Sequence, residues 1–192
     1  MRGGVSLFDK ISKDDLIIAF FPCIYFESLQ LTYYSFENIN NRHKIMYERV
    51  KDAIERLEKR SYFHTLLYKL IYIAYKNNLR LIIENPATKP NYLIDTQNLP
   101  KPTVIDNNRL ERGDYFKKPT AYWFFNCVNT TGFSRQRDKK QLIVSKVHDK
   151  KTVAGRCSTV RSKISSDYAR NWICDFVIGK TQNNPFVEQS LF

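Results

Sequence analysis

Two short apolar runs, each stopped by a proline, bracket a long stretch that contains neither glycine nor proline. The first is Asp15-Leu16-Ile17-Ile18-Ala19-Phe20-Phe21, ended by Pro22; the second is Arg80-Leu81-Ile82-Ile83-Glu84-Asn85, ended by Pro86. Between Asn41 and Asn78 the chain is rich in Lys, Glu, Arg, Leu and Ile. Continuous apolar runs of this length suit strands covered on both faces, as in a parallel sheet. Parallel neighbours need a crossover, and the Gly- and Pro-free stretch is a helical one. The order strand, loop, long helix, strand therefore predicts an α/β fold. Both strands carry polar residues at their carboxyl tips, where open α/β sheets bind ligands.

Within the helical stretch, apolar residues recur at Met46, Val50, Ile54 and Leu57, then at Phe63, Leu67, Leu70 and Ala74. The phase shifts between Lys59 and Tyr62, which predicts a break or kink. Lys51 to Arg60 mixes Glu and Lys at helical spacing and reads as a solvated face. Further strands are expected at Thr103-Val104-Ile105, Ala121 to Asn126 and Leu142-Ile143-Val144, with loop-rich chain from Lys89 to Gly113. Ser165-Ser166-Asp167 is a capping signal for a last helix. Its apolar face is Tyr168, Trp172, Ile173, Phe176 and Val177, and Gly179 ends it. With 192 residues and no repeat or long linker, 1–192 reads as a single domain.

The composition narrows function more than fold. No run approaches eighteen uncharged apolar residues and the N-terminus lacks an apolar signal core, so a soluble, cytoplasmic protein with no membrane partner is expected. A net charge of +12 favours a polyanion as partner. Cys23, Cys127, Cys157 and Cys174 never form C-x-x-C, and His43, His64 and His148 are as dispersed, so no zinc site is expected. Three of the cysteines read as packing residues.

Cys23 differs because it follows a buried strand on a proline-stiffened turn. Glu84 stands at the tip of the next strand, and adjacent parallel strands would bring the two within about 5 Å or a small multiple of it. A nucleophilic thiol beside a proton-donating acid is a working chemical pair. Taken singly, Cys23 reads as an inert half-buried thiol and Glu84 as a solvated charge.

Pro22-Cys23 after one strand and Glu84-Asn85-Pro86 after the next resemble the DNA cytosine-5 methyltransferases. Gly113-Asp114-Tyr115-Phe116-Lys117-Lys118-Pro119-Thr120-Ala121-Tyr122-Trp123 is similar to a segment of their small phage and prophage members. Arg161-Ser162-Lys163-Ile164, with Tyr168-Ala169 and Ile173, resembles their closing helix. The resemblance implies a Rossmann-like methyltransferase sheet, of which this chain is the second half, the C-terminal part of the catalytic domain. It implies a protein of bacterial or phage-infected cells that methylates carbon 5 of cytosine in DNA, with S-adenosylmethionine as methyl donor. Cys23 would be the nucleophile and Glu84 the acid, while Asn85 and Pro86 shape the pocket and Pro22 orients the nucleophile loop. The target base would leave the duplex stack to reach the thiol.

Three features depart from the family. Phe21 stands where a second proline is usual, and no Gln-x-Arg-x-Arg strand is present. The Gly-rich turn and ribose carboxylate of the first three strands have no counterpart, so either a missing N-terminal segment or a separate chain completes the cofactor pocket, or the protein no longer methylates; a missing segment is the expectation. DNA contacts are expected from Arg109, Arg112, Lys117, Lys118 and Arg161, with the basic run from Arg135 to Lys151 in support. An alternative reading is a non-catalytic basic nucleic-acid-binding module derived from the same fold. A methyltransferase acting on exocyclic amines fits less well, because Cys23 stands where those enzymes carry an aromatic.

Overall fold

The computed structural model describes residues 10–26, 44–136 and 163–180. Strand β1 is Leu16–Phe20, followed by a 3-10 turn at Cys23–Tyr25. Helix α1 spans Met46–Asn77 and leads into β2, Arg80–Pro86. A short helical turn, α2, covers Tyr92–Asp95; β3 is Val104–Asp106 and β4 is Thr120–Phe125. The last helix, α3, is Ser166–Ile173, continued by a π turn at Cys174–Ile178. The four strands form one sheet in the order β1-β2-β4-β3. This α/β arrangement is compatible with a Rossmann-like sheet. Leu142-Ile143-Val144 lies outside the described residues.

The chain divides into two compact units. One comprises residues 1–105 and 121–128, the other 106–120 and 129–192.

In the first unit β1 and β2 are parallel neighbours, Leu16 opposite Arg80 and Phe20 opposite Glu84. The crossover predicted from the sequence is present. Helix α1 begins without a polar cap residue; instead the Glu48 carboxylate accepts from the Ile45 backbone N–H at 3.3 Å. It ends at Asn78, which takes the left-handed conformation at φ 53°. The Asn126 side-chain amide donates to the carbonyls of Ala74 and Leu79 at 2.9 and 3.0 Å, satisfying the helix terminus. Leu67 and Ala74 are buried with Leu81, Ile83, Ala121, Trp123 and Phe125, and Phe63, Leu70 and Ile71 pack against this core.

The predicted break near Lys59 does not occur, since α1 is continuous over 32 residues. At about 100° per residue, the Met46-Val50-Ile54-Leu57 row and the Phe63-Leu67-Leu70-Ala74 row lie roughly 120° apart on one helix. The phase shift marks a change of face. Only the second row enters the core; Met46, Val50, Ile54 and Leu57 are exposed.

In the second unit Ser165 is the N-cap of α3. Its hydroxyl accepts from the Tyr168 N–H at 3.0 Å and donates to the Gly113 carbonyl at 2.7 Å. Gly179, at φ 75°, ends the π turn, as the sequence suggested. No helix among the described residues is long and apolar enough to cross a membrane.

Candidate functional site

The β1–β2 register places the two candidate motifs at one end of the sheet. One residue past Phe20 the chain leaves the strand, and Pro22, at φ −60°, turns it into the 3-10 turn that begins with Cys23. The Tyr25 N–H donates to the Pro22 carbonyl at 3.3 Å, and that of Phe26 to the Cys23 carbonyl at 2.9 Å. Phe26 is fully buried and its carbonyl accepts from the Tyr92 N–H at 2.7 Å. Tyr25 stacks on Phe63 of α1, ring centroids 5.2 Å apart. The turn carrying Cys23 is thus fastened on its far side to both α1 and α2, and the thiol itself is half-buried.

At the β2 tip, Glu84 is 6% exposed and Asn85 is fully buried. The solvated charge that a lone Glu-Asn-Pro suggests is therefore not what the fold makes of Glu84. The Asn85 Nδ2 donates to the Phe21 carbonyl at 3.4 Å, linking the two tips. Asn91 completes the arrangement. Its Nδ2 donates to the Pro86 carbonyl at 2.6 Å and to Asn85 Oδ1 at 3.4 Å, while its Oδ1 caps α2 through the N–H groups of Leu93 and Ile94. Sequence reasoning missed Asn91, although an Asn opening the helical segment Tyr-Leu-Ile-Asp is a capping signal.

The other described cysteines sit elsewhere. Cys127 is half-buried near the Leu81 carbonyl, and burial pushes its thiol up from the ordinary value. Cys174 is buried, and Cys157 lies outside the described residues. Among the described residues no three His, Cys, Asp or Glu side chains are grouped to hold a metal ion.

The second unit corrects two of the expected DNA contacts. Arg109 and Arg112 are 1% and 6% exposed. The Arg109 guanidinium pairs with buried Asp114 and lies 4.3 Å above the Tyr168 ring. Arg112 bridges two carboxylates, with Nη1 2.9 Å from Asp106 and Nε 2.9 Å from Asp175. Burial opposes the charge on Arg112, yet Asp106 and Asp175 outweigh it and hold the guanidinium above its ordinary value. Asp175 also accepts from the backbone and hydroxyl of Ser134 at 2.8 and 2.7 Å, and Asp106 from the Tyr168 hydroxyl at 3.1 Å. These arginines are internal cross-links, each buried against carboxylates of its own unit. Lys117 is exposed and Lys118 half-buried; Arg161 lies outside the described residues.

Gly113, at φ 85°, turns the chain between Arg112 and Asp114, and a Cβ there would approach that of Asp167 to 3.0 Å. The Gly113-Asp114 pair thus owes its place in this chain to packing. No protein-family model, curated protein or solved structure matches the chain.

Proposed function

We propose that this chain activates cytosine in DNA for methylation at carbon 5, as the resemblance to the DNA cytosine-5 methyltransferases implies. The observation that carries the reading is the parallel register of β1 and β2, which sets the Pro22-Cys23 turn and Glu84-Asn85-Pro86 at one sheet end. Around it, Glu84 is buried and Asn85 ties the tips together.

In this mechanism the Cys23 thiolate forms a bond to carbon 6 of an extruded cytosine. The carbon 5–carbon 6 π pair shifts toward carbon 5. Glu84, hydrogen-bonded or giving its proton to ring nitrogen 3, stabilises the charge that develops in the ring. Pro22 orients the nucleophile turn, and Asn85 and Pro86 shape the pocket, Asn85 also joining β2 to the Phe21 carbonyl.

S-adenosylmethionine would supply the methyl group. The described residues do not fit it. Gly113 and Gly179 close turns at helix ends and Gly132 lies in irregular chain, so none sits in a turn leading directly from a strand into a helix, where backbone could approach such a donor. The chemistry assigned to this chain stops at activation.

Activation alone has a measurable consequence. Once Cys23 is bonded to carbon 6, solvent can protonate carbon 5; loss of the original hydrogen and expulsion of the thiolate then restore the ring. Incubating duplex or single-stranded DNA with the protein in deuterated water should exchange cytosine hydrogen at carbon 5 without any methyl donor, detected by mass spectrometry. Cys23→Ser should abolish exchange, and Glu84→Gln should slow it by about 10²- to 10⁴-fold. DNA binding with no exchange above the protein-free rate would overturn the enzymatic reading and favour a binding module.

A further inference from the structure

The N-terminal half of α1 carries an apolar row that the other described residues leave exposed. Met46, Val50, Ile54 and Leu57 are 59, 38, 50 and 44% exposed. They follow one another by four, four and three residues, which keeps them on one stripe within about 80° of arc. The buried residues of α1 are Leu67 and Ala74, both in its C-terminal half. A helix is held mainly by packing an apolar face, and here the face of the first half is directed away from the core.

We infer that this face pairs with the same face of a second copy of the chain, as two antiparallel helices centred near Ile54. Charge decides for a second copy over an acidic partner. The whole chain carries +12, but Met46 to Arg60 holds five basic and four acidic side chains, a local balance of +1. On one flank of the stripe the placement of those charges is self-complementary. Lys51 and Glu58 are exposed and lie on the same flank of the stripe, about 90° from it. They stand about 10 Å apart along the axis, too far to pair within one helix. In an antiparallel pair, like flanks meet, so Lys51 of each copy faces Glu58 of the other while Val50, Ile54 and Leu57 interdigitate. The opposite flank carries Ala53 and three half-buried arginines, Arg49, Arg56 and Arg60; the Arg49 Nε is turned back onto the Lys44 carbonyl at 2.9 Å and Arg60 lies 4.3 Å above the Tyr92 ring.

Sedimentation equilibrium of the full chain near physiological salt tests this. A dimer is expected at about 100 μM or below. Ile54→Glu should yield a monomer with near-native helix content by circular dichroism. Glu58→Lys and Lys51→Glu should each weaken the dimer about tenfold, and the double exchange should restore it. Restoration separates pairing across copies from any effect on the helix itself. A wild-type chain that stays monomeric, whether or not it takes up another partner, would overturn the inference. So would a double exchange no tighter than the single variants.

Discussion

The side-chain amide of Asn85 reaches across the end of the sheet to the main-chain carbonyl of Phe21, 3.4 Å away. Asn85 is fully buried and also accepts from Asn91, so it joins the tips of β1 and β2 and the start of α2. Asn85→Leu keeps the volume and strands these partners. It should cost about 1–3 kcal/mol, read from the midpoint of urea unfolding. It should also reduce cytosine exchange by more than the folded fraction lost, because the Cys23 turn would no longer be held to β2. An unchanged midpoint would show that the bond does not hold the tips.

Arg112 stands between Asp106 and Asp175, and all three are buried. Arg112→Met should destabilise the chain by about 3–5 kcal/mol, because two carboxylates are left without their cation. Arg112→Lys should recover little of this, since one ammonium cannot reproduce the divergent geometry of the guanidinium. Adding Asp106→Asn and Asp175→Asn to Arg112→Met should return part of the stability. Thermal unfolding of the four proteins would show whether the charge or the volume of Arg112 matters.

Burial of Arg109 and Arg112 also bears on DNA affinity. If the chain binds DNA through surface cations, Lys117→Ala should lower the magnitude of the log–log salt slope by about one. Arg112→Lys, assayed at a temperature where it is folded, should leave that slope unchanged. Fluorescence anisotropy across a salt series distinguishes the two. A loss of slope in the Arg112 variant would mean that its guanidinium reaches phosphate after all.

His64 packs against Phe26, Tyr68 and Tyr92, and burial, aided by the Arg60 charge, holds its imidazole below the ordinary 6.5. The unfolded chain therefore takes up this proton more readily than the folded one. This contribution to stability is complete above pH 6.5 and is lost as pH falls through the lower folded value. Unfolding midpoints measured downward from pH 7.5 should fall across that window. His64→Phe should flatten that part of the profile, and an equally steep decline in the variant would assign the proton uptake elsewhere.

Much of the first unit was legible because its signals are local. Prolines at 22 and 86 end strands by removing a ladder donor, and Asn78 ends α1 by accepting the left-handed conformation. Ser165 and Gly179 bound the last helical segment for similar reasons. The supposed break in α1 failed as an expectation because periodicity reports the direction of apolar residues, without reporting what lies opposite them. Two rows about 120° apart mimic a broken helix when each is assumed to face the same core.

The sequence by itself determined the βαβ crossover and the placing of Cys23 and Glu84 at strand tips, since strand length, helix period and proline stops act over a few residues. Only the tertiary structure decided which charges face water. Arg109, Arg112 and Glu84 resemble any other exposed charge in the primary sequence. The first two acquire internal partners from residues as far away as Asp175, and Glu84 becomes buried where β2 lies beside β1. The physical reason is that a charge can remain out of water only where the fold delivers a partner or an enclosed site to it, and that delivery depends on contacts distant in sequence.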